Sequence, residues 1–212
     1  MAKGVVQVRG TPTCGKSILS KLLRSYAEQA LPDHVTVYVT WQLFGGSRRR
    51  GLEWLEFLCS WSKGRIQPED FAESRNIIYI INKAQLSYAD EMFWMECIKT
   101  YKGGNMGGPF FILFSSYRSG SNIVFEIEGS APVDLNPGQQ VPLIPQPNWP
   151  HGITFCFTVE ELEEMCQKSA RIRGATVSAD VVLHLFTPTN GHPGLCDALP
   201  SNMLNREANS PP

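Results

Sequence analysis

The chain has 212 residues, 42% of them hydrophobic, and its 19 Lys and Arg nearly balance 20 Asp and Glu, for a formal charge of -1. That length suits one α/β domain with a small helical appendage, and the balanced charge excludes a global basic field for nucleic acid or an anionic membrane. No apolar stretch is long enough to span a bilayer and Met1-Ala2-Lys3-Gly4 has no signal-peptide pattern, so a cytoplasmic or nuclear, intracellular location is expected.

Residues 5–9 read as a short buried strand. Gly10-Thr11-Pro12-Thr13-Cys14-Gly15-Lys16-Ser17 follows and fits G-x-x-x-x-G-K-[ST], the phosphate-binding loop. A helix over Lys16–Ala30 comes next, with Ile18, Leu19, Leu22, Leu23, Tyr26 and Ala27 as its expected apolar face. A strand that turns through glycines into a helix aims several backbone N–H groups at one point, and a polyphosphate is the natural occupant. The loop from Gly10 to Gly15 would cradle it, Lys16 would reach the outer phosphates and the Ser17 hydroxyl would ligate Mg2+. Cys14 is either a small residue tolerated in the loop or a thiol whose oxidation blocks phosphate entry.

Residues 35–41 are rich in β-branched and aromatic side chains and predict a second strand. Gly45-Gly46-Ser47 breaks the chain, a helix is expected over 52–61, and a further helical stretch over Pro68–Glu73. The uninterrupted apolar run 77–81 is what a strand buried on both faces of a parallel sheet looks like. Ser87 is the expected cap of a helix in which Phe93, Cys97 and Tyr101 share a face. Strand four is 110–114, again solidly apolar.

Residues 129–150 are punctuated by six prolines, which no helix survives, and read as a long extended surface loop. Val141, Leu143 and Trp149 would order it in part, and Trp149 is the best candidate there for an exposed contact with a protein partner. Strand five is expected at 153–157. Thr158 with Glu161 predicts a capping box for a helix carrying Leu162, Met165 and Cys166 on one side. Ser178 opens another helix through Phe186, a turn follows over 187–194, and a last short helix precedes a frayed tail.

Five strands alternating with helices predict an α/β fold: a five-stranded, mainly parallel sheet flanked by helices, with the phosphate loop at the carboxyl ends of the strands. The expected organisation is a phosphate-loop core over 1–158, a small helical lid over 159–205, and a tail over 206–212.

Ile77-Ile78-Tyr79-Ile80-Ile81-Asn82-Lys83-Ala84-Gln85 resembles the Walker B segment of AAA-type and signal-transduction (STAND) ATPases, an apolar run followed by Asp-Glu-Ala-Gln. Ala84 and Gln85 match that pattern, while Asn82 stands where Asp is expected and Lys83 where Glu is expected. Ser115-Ser116 after strand four resembles the sensor-one segment, and 189–195 resembles the Gly-x-Pro turn of the STAND helical lid, whose proline, here Pro193, packs near the base. Together with 41–47 and 110–119, these segments make the chain similar to the NTPase module of fungal Crinkler-type effector-like proteins over nearly its whole length. Against that family, neither a targeting header before the first strand nor an effector domain after the lid turn is expected in this sequence. The resemblance implies ATP as ligand with Mg2+ held weakly by Ser17 and Asn82, and a regulatory or effector-type switch.

The departures have chemical consequences. A neutral Asn82 can accept a hydrogen bond but brings no charge to the metal, and a protonated Lys83 cannot act as base for the attacking water. Lys83 would instead pair with the γ-phosphate, giving a nucleotide-binding module with impaired or lost hydrolysis. Asp90 and Glu91 are the nearest acids in sequence, several residues too far along. ATP is expected over GTP because Gln85 stands where the guanine-reading Asn-Lys-x-Asp motif needs Asp.

Other readings stay open: an active ATPase of the same kind, a small-molecule kinase, or an interaction scaffold that has lost its ligand. The kinase reading lacks an arginine-bearing lid between Ser119 and Pro150. Arg48-Arg49-Arg50 reads as a solvated loop rather than an arginine finger, Arg118 as either a phosphate contact or a surface ion pair, and Arg171 and Arg173 as weaker lid candidates. The four histidines do not cluster, and His192 alone falls in the lid turn. The six cysteines, with no C-x-x-C pair, predict thiols rather than a disulfide framework or a zinc site. Trp41, Trp54, Trp61 and Trp94 are expected in the core.

Overall fold

A computed structural model describes residues 4–41, 53–88, 90–104, 107–116, 133–141, 156–172, 174 and 176–197. The chain divides into two compact units, Met1–Thr11 with Lys16–Val141, and Pro12–Gly15 with Pro142–Pro212.

The first unit is built on β1 (Val5–Gly10), α1 (Lys16–Ala30), β2 (Val35–Thr40), α2 (Glu53–Trp61), β3 (Ile77–Asn82), α3 (91–101), β4 (Phe110–Ser116) and β5 (Gln140–Val141). All five strands run parallel in the order β2-β3-β4-β1-β5. The expected α/β sheet is therefore present, and it is parallel throughout. Every residue of β3 is buried, as a continuous apolar run at the centre of such a sheet requires. Tyr79 of β3 stacks on Phe111 of β4 with ring centroids 5.4 Å apart, and Trp41, Trp54, Phe93 and Trp94 fill the core beside them.

The helix after the phosphate loop presents a different face to the sheet from the one its sequence suggests. Its buried residues are Lys16, Ser20 and Ala27, with Leu23 half-buried, whereas Ile18, Leu22 and Tyr26 are each more than 60% exposed. The phase is set by Lys16. Its ammonium is turned into the loop, so the row i, i+4, i+7, i+11 from Lys16 faces the sheet and the apolar row two residues on faces outward. Ser20 uses its place on that row to hydrogen-bond the Ser17 carbonyl at 3.0 Å and to meet the Tyr38 hydroxyl at 3.1 Å.

Other expectations are corrected locally. Ser87 does not cap α3. It closes a 3-10 turn (Ala84–Ser87), its hydroxyl donating to the Ala84 carbonyl and accepting from the Trp94 indole, while Asp90 Oδ1 takes the Phe93 N–H at 3.1 Å. The middle of α3, Phe93–Ile98, is wound as a π-turn. Trp61 is 37% exposed rather than in the core.

The fifth strand of the sheet lies inside the proline-rich stretch, at Gln140–Val141, and pairs with Gln7 and Val8 of β1. Asn136 and Gln139 form a reciprocal cap over Pro137–Gln139, and the Gln139 amide donates to the Val5 and Lys102 carbonyls at 2.9 and 2.7 Å. Those bonds satisfy a short edge strand that sequence patterning alone could not detect. Of the strand expected at 153–157, residues 153–155 lie outside the described residues, as do Leu143 and Trp149, while Cys156 and Phe157 are not in a strand.

The second unit contains α4 (Val159–Ile172) and α5 (Ala179–Thr189), packed through Leu162, Cys166, Val182, Leu185 and Cys196. The Thr158–Glu161 box is formed as expected, with the Glu161 N–H donating to Thr158 Oγ1 at 3.2 Å and the Thr158 N–H to Glu161 Oε2 at 2.8 Å. Helix α5 runs three residues past the expected end at Phe186, with Pro188 in its last turn. The Thr187 and Thr189 hydroxyls donate to the carbonyls of Leu183 and Leu185, and Asn190 ends the helix in the left-handed region. Among the described residues, no helix is long and apolar enough to cross a membrane.

Candidate functional site

The phosphate-loop sequence lies where β1 turns into α1, at the carboxyl end of a strand flanked by β4 and β5. Gly10, Thr11, Lys16 and Ser17 belong to the first unit and Pro12–Gly15 to the second. Two residues of the loop, Thr13 at φ +64° and Gly15 at φ +86°, take the left-handed conformation. Successive right- and left-handed residues turn neighbouring N–H groups toward a common point. For Thr13 that conformation costs about 1–2 kcal/mol, and its hydroxyl returns part of it by donating to the Pro12 carbonyl at 2.6 Å.

Lys16 is 8% exposed, and its ammonium donates to the carbonyls of Gly10, at 3.0 Å, and Thr11. The charge is thus held against the first two residues of the loop. Ser17 sits one residue further on, and its hydroxyl donates to Asn82 Oδ1 at 3.4 Å. Asn82, the last residue of β3, is 7% exposed. The two residues expected to share a metal are therefore brought together, with an amide in place of a carboxylate.

Lys83 follows in the left-handed region, at φ +58°, and is exposed. The 3-10 turn after it carries Gln85 back to β4, where its Oε1 accepts the Ser116 N–H at 3.1 Å. Ser116 is in register with Gly10, so Gln85 fixes the strand end that runs alongside the start of the phosphate loop. Ser115 is fully buried and its hydroxyl accepts from the Gln7 amide at 3.3 Å. Gln7 also donates to the Tyr88 hydroxyl at 3.2 Å. Gln7 was not singled out in the sequence. The available signal was an amide in the buried run Val5-Val6-Gln7-Val8, which a sheet accommodates only when its polar atoms are satisfied.

In the second unit, Pro193 begins a helical turn at 193–197, and a Cβ built on Gly194 would collide with the Thr13 side chain. Burial raises the thiol pKa of Cys156, and the neighbouring Cys14 and Cys196 thiols add to the shift. The Cys196 thiol lies 3.2 Å from Thr189 Oγ1. His192 Nδ1 accepts the Leu195 N–H at 3.4 Å. Arg48-Arg49-Arg50, Arg118, Arg173 and His151 lie outside the described residues, and Arg171 and His184 are exposed on α4 and α5.

No model of a known protein family matches the chain, and no curated protein matches it. Among solved structures, the chain is similar to a RuvB mutant from Thermotoga maritima, at 15% sequence identity and a TM-score of 0.44, over 91% of this chain and 52% of that one. The chain thus spans about half the length of that protein. The site's chemistry is read from the side chains of the first unit: the buried Lys16 ammonium and the neutral oxygens of Ser17, next to it in sequence, and of Asn82, at the carboxyl edge of a parallel sheet.

Proposed function

We propose that this chain binds a nucleoside triphosphate, ATP by preference, at the phosphate loop, and hydrolyses it slowly or not at all. The observation that carries this reading is the 3.4 Å hydrogen bond between Ser17 and Asn82, beside the buried Lys16. It joins a phosphate-loop hydroxyl to the strand end where a metal-holding acid is expected.

Magnesium prefers oxygen ligands, and Ser17 Oγ and Asn82 Oδ1 fit it in kind. Both are neutral, so the charge that retains the ion comes from the nucleotide. A bound magnesium ion supplies neutralisation of the outer phosphates. Lys16, now on the Gly10 and Thr11 carbonyls, exchanges them for phosphate oxygens. Lys83 adds a second cation at the end of β3. A base for water is missing at 82 and 83, and the nearest acid in sequence, Asp90, accepts the N–H that opens α3. In this reading the nucleotide is held rather than consumed, which suits a switch of the STAND or Crinkler type.

Binding is tested by thermal shift with ATP, with and without Mg2+, in the native chain and in Lys16→Ala. Stabilisation by ATP that Lys16→Ala abolishes supports the proposal, and an identical response in both rejects it. Phosphate release is then compared with that of the Asn82→Asp, Lys83→Glu double variant. Turnover that appears only in the double variant supports impaired hydrolysis, and robust native turnover refutes it.

A further inference from the structure

On the outer edge of the first unit's sheet, Thr36 is 9% exposed and its hydroxyl has no hydrogen-bond partner among the described residues. It lines a cavity of about 170 Å³ shared with Arg24, Glu28, Tyr38, Trp61, Lys63 and Arg65. An unsatisfied buried hydroxyl costs about 1–3 kcal/mol, and a cavity beside one is suited to a ligand that accepts its hydrogen bond.

The walls favour a negative charge. Three cationic side chains face one carboxylate, and that carboxylate, Glu28, is already engaged by Arg24 at 2.8 Å. Lys63 and Arg65 are exposed and pair with no carboxylate among the described residues. The strand adds donors of its own. Val35 and Trp41 direct their N–H groups to the Asn76 and Asn82 carbonyls, on the β3 side. Alternation along the strand therefore turns the N–H groups of Thr36 and Tyr38 away from β3, to the side that carries no strand among the described residues. Trp61, 37% exposed, offers a ring against which an apolar body can lie.

Size limits the occupant. A water molecule takes about 30 Å³ of liquid, so the cavity holds a handful of waters, or one phosphate or carboxylate group on a compact body, and not a nucleotide. It is also distinct from the phosphate loop: β2 lies three strands from β1, about 14 Å at the usual strand spacing.

We propose that this edge pocket binds a small oxyanion, a phosphate or carboxylate, through the Thr36 hydroxyl, the strand N–H groups, Lys63 and Arg65. Lys63 and Arg65 also follow the carboxyl end of α2, where any helix welcomes cations. That role leaves the Thr36 hydroxyl unexplained and predicts no ligand response.

The test uses the full chain with Lys16→Ala, which silences the phosphate loop, labelled with 5-fluorotryptophan. The Trp61 resonance is assigned by its loss in Trp61→Phe. Inorganic phosphate and malonate are titrated separately. A saturable shift of Trp61 with either anion is expected, and the tighter arm identifies the group. Lys63→Gln with Arg65→Gln should weaken binding about tenfold or more, equivalent to about 1.4 kcal/mol. Thr36→Val should weaken it as well while raising the melting temperature, which keeps lost binding distinct from lost folding. A Trp61 resonance unmoved by both anions, or a shift unchanged in the Lys63 and Arg65 double variant, overturns the proposal.

Discussion

Asn82→Asp restores the acid that the strand end lacks, and its cost before any ligand arrives follows from the surroundings. Position 82 is 7% exposed, and the Ser17 hydroxyl 3.4 Å away is the polar side-chain group recorded against it. A buried charge with no directly paired partner costs about 3–5 kcal/mol; the hydrogen bond from Ser17 to a charged acceptor returns about 1.5–3 kcal/mol, and the Lys16 and Lys83 ammoniums nearby make the remainder an upper value. The ligand-free variant should therefore lose up to about 2 kcal/mol, or up to about 4–8 °C of melting temperature for a chain of this size. Burial raises the pKa of the introduced carboxyl. The deficit is absent below the unfolded value near 4 and develops as pH rises from there toward the folded-state value. Mg2+ with ATP at about a hundred times its dissociation constant returns about 2.7 kcal/mol, so the loaded variant should recover the whole loss. Scanning calorimetry at neutral and acid pH, with and without Mg2+ and ATP, measures each term. A variant as stable as the native chain when empty, with no Mg2+-dependent gain beyond the native one, would refute the reasoning.

Tyr79→Phe should stabilise the first unit by about 1–2 kcal/mol in urea titrations, because the Tyr79 hydroxyl is buried with no partner among the described residues while its ring keeps the stack on Phe111. A loss of stability would mean that the hydroxyl is satisfied. Gly191→Ala should cost about 2–4 kcal/mol: Gly191 has φ +70°, and a Cβ there meets the Phe157 carbonyl beside the 2.8 Å bond from the Phe157 N–H to the Gly191 carbonyl. Gly174→Ala, at φ +66° with open space around it, should cost only the conformational part, about 1–2 kcal/mol. Burial pushes the Cys59 thiol up to about 11 and Cys97 well above its ordinary value, so both stay protonated in the fold after the unfolded chain has ionised. Stability should accordingly fall as pH rises from about 9 toward 11, and Cys59→Ala should flatten that slope in denaturant midpoints measured across the range.

Where one local rule decided the outcome, the sequence was readable. The apolar run of β3 and the glycine-to-helix turn of the phosphate loop needed no tertiary information, and neither did the Thr158–Glu161 cap. Where two rules competed, it was not. Apolar periodicity placed Ile18, Leu22 and Tyr26 inward, but the buried ammonium of Lys16 fixed the rotation of α1. Proline density argued for a loop over 129–150, yet two residues between Gln139 and Pro142 were enough for an edge strand once the Gln139 amide tied it to Val5. The turn expected over 187–194 starts later than that, because Pro188 sits late enough in α5 that the neighbouring threonine hydroxyls occupy nearby carbonyls. At the site, the pairing of Ser17 with Asn82 was legible from the motifs. The amides of Gln7 and Gln85, which hold Ser115 and Ser116, were not, because their partners lie far off in sequence.

Gly194 carries an implication for how the phosphate loop can change. Only a hydrogen atom fits between its backbone and Thr13 while the loop keeps its present curvature. Enlarging either residue must unseat the other, so the conformation at Thr13 depends on a turn from much later in the chain.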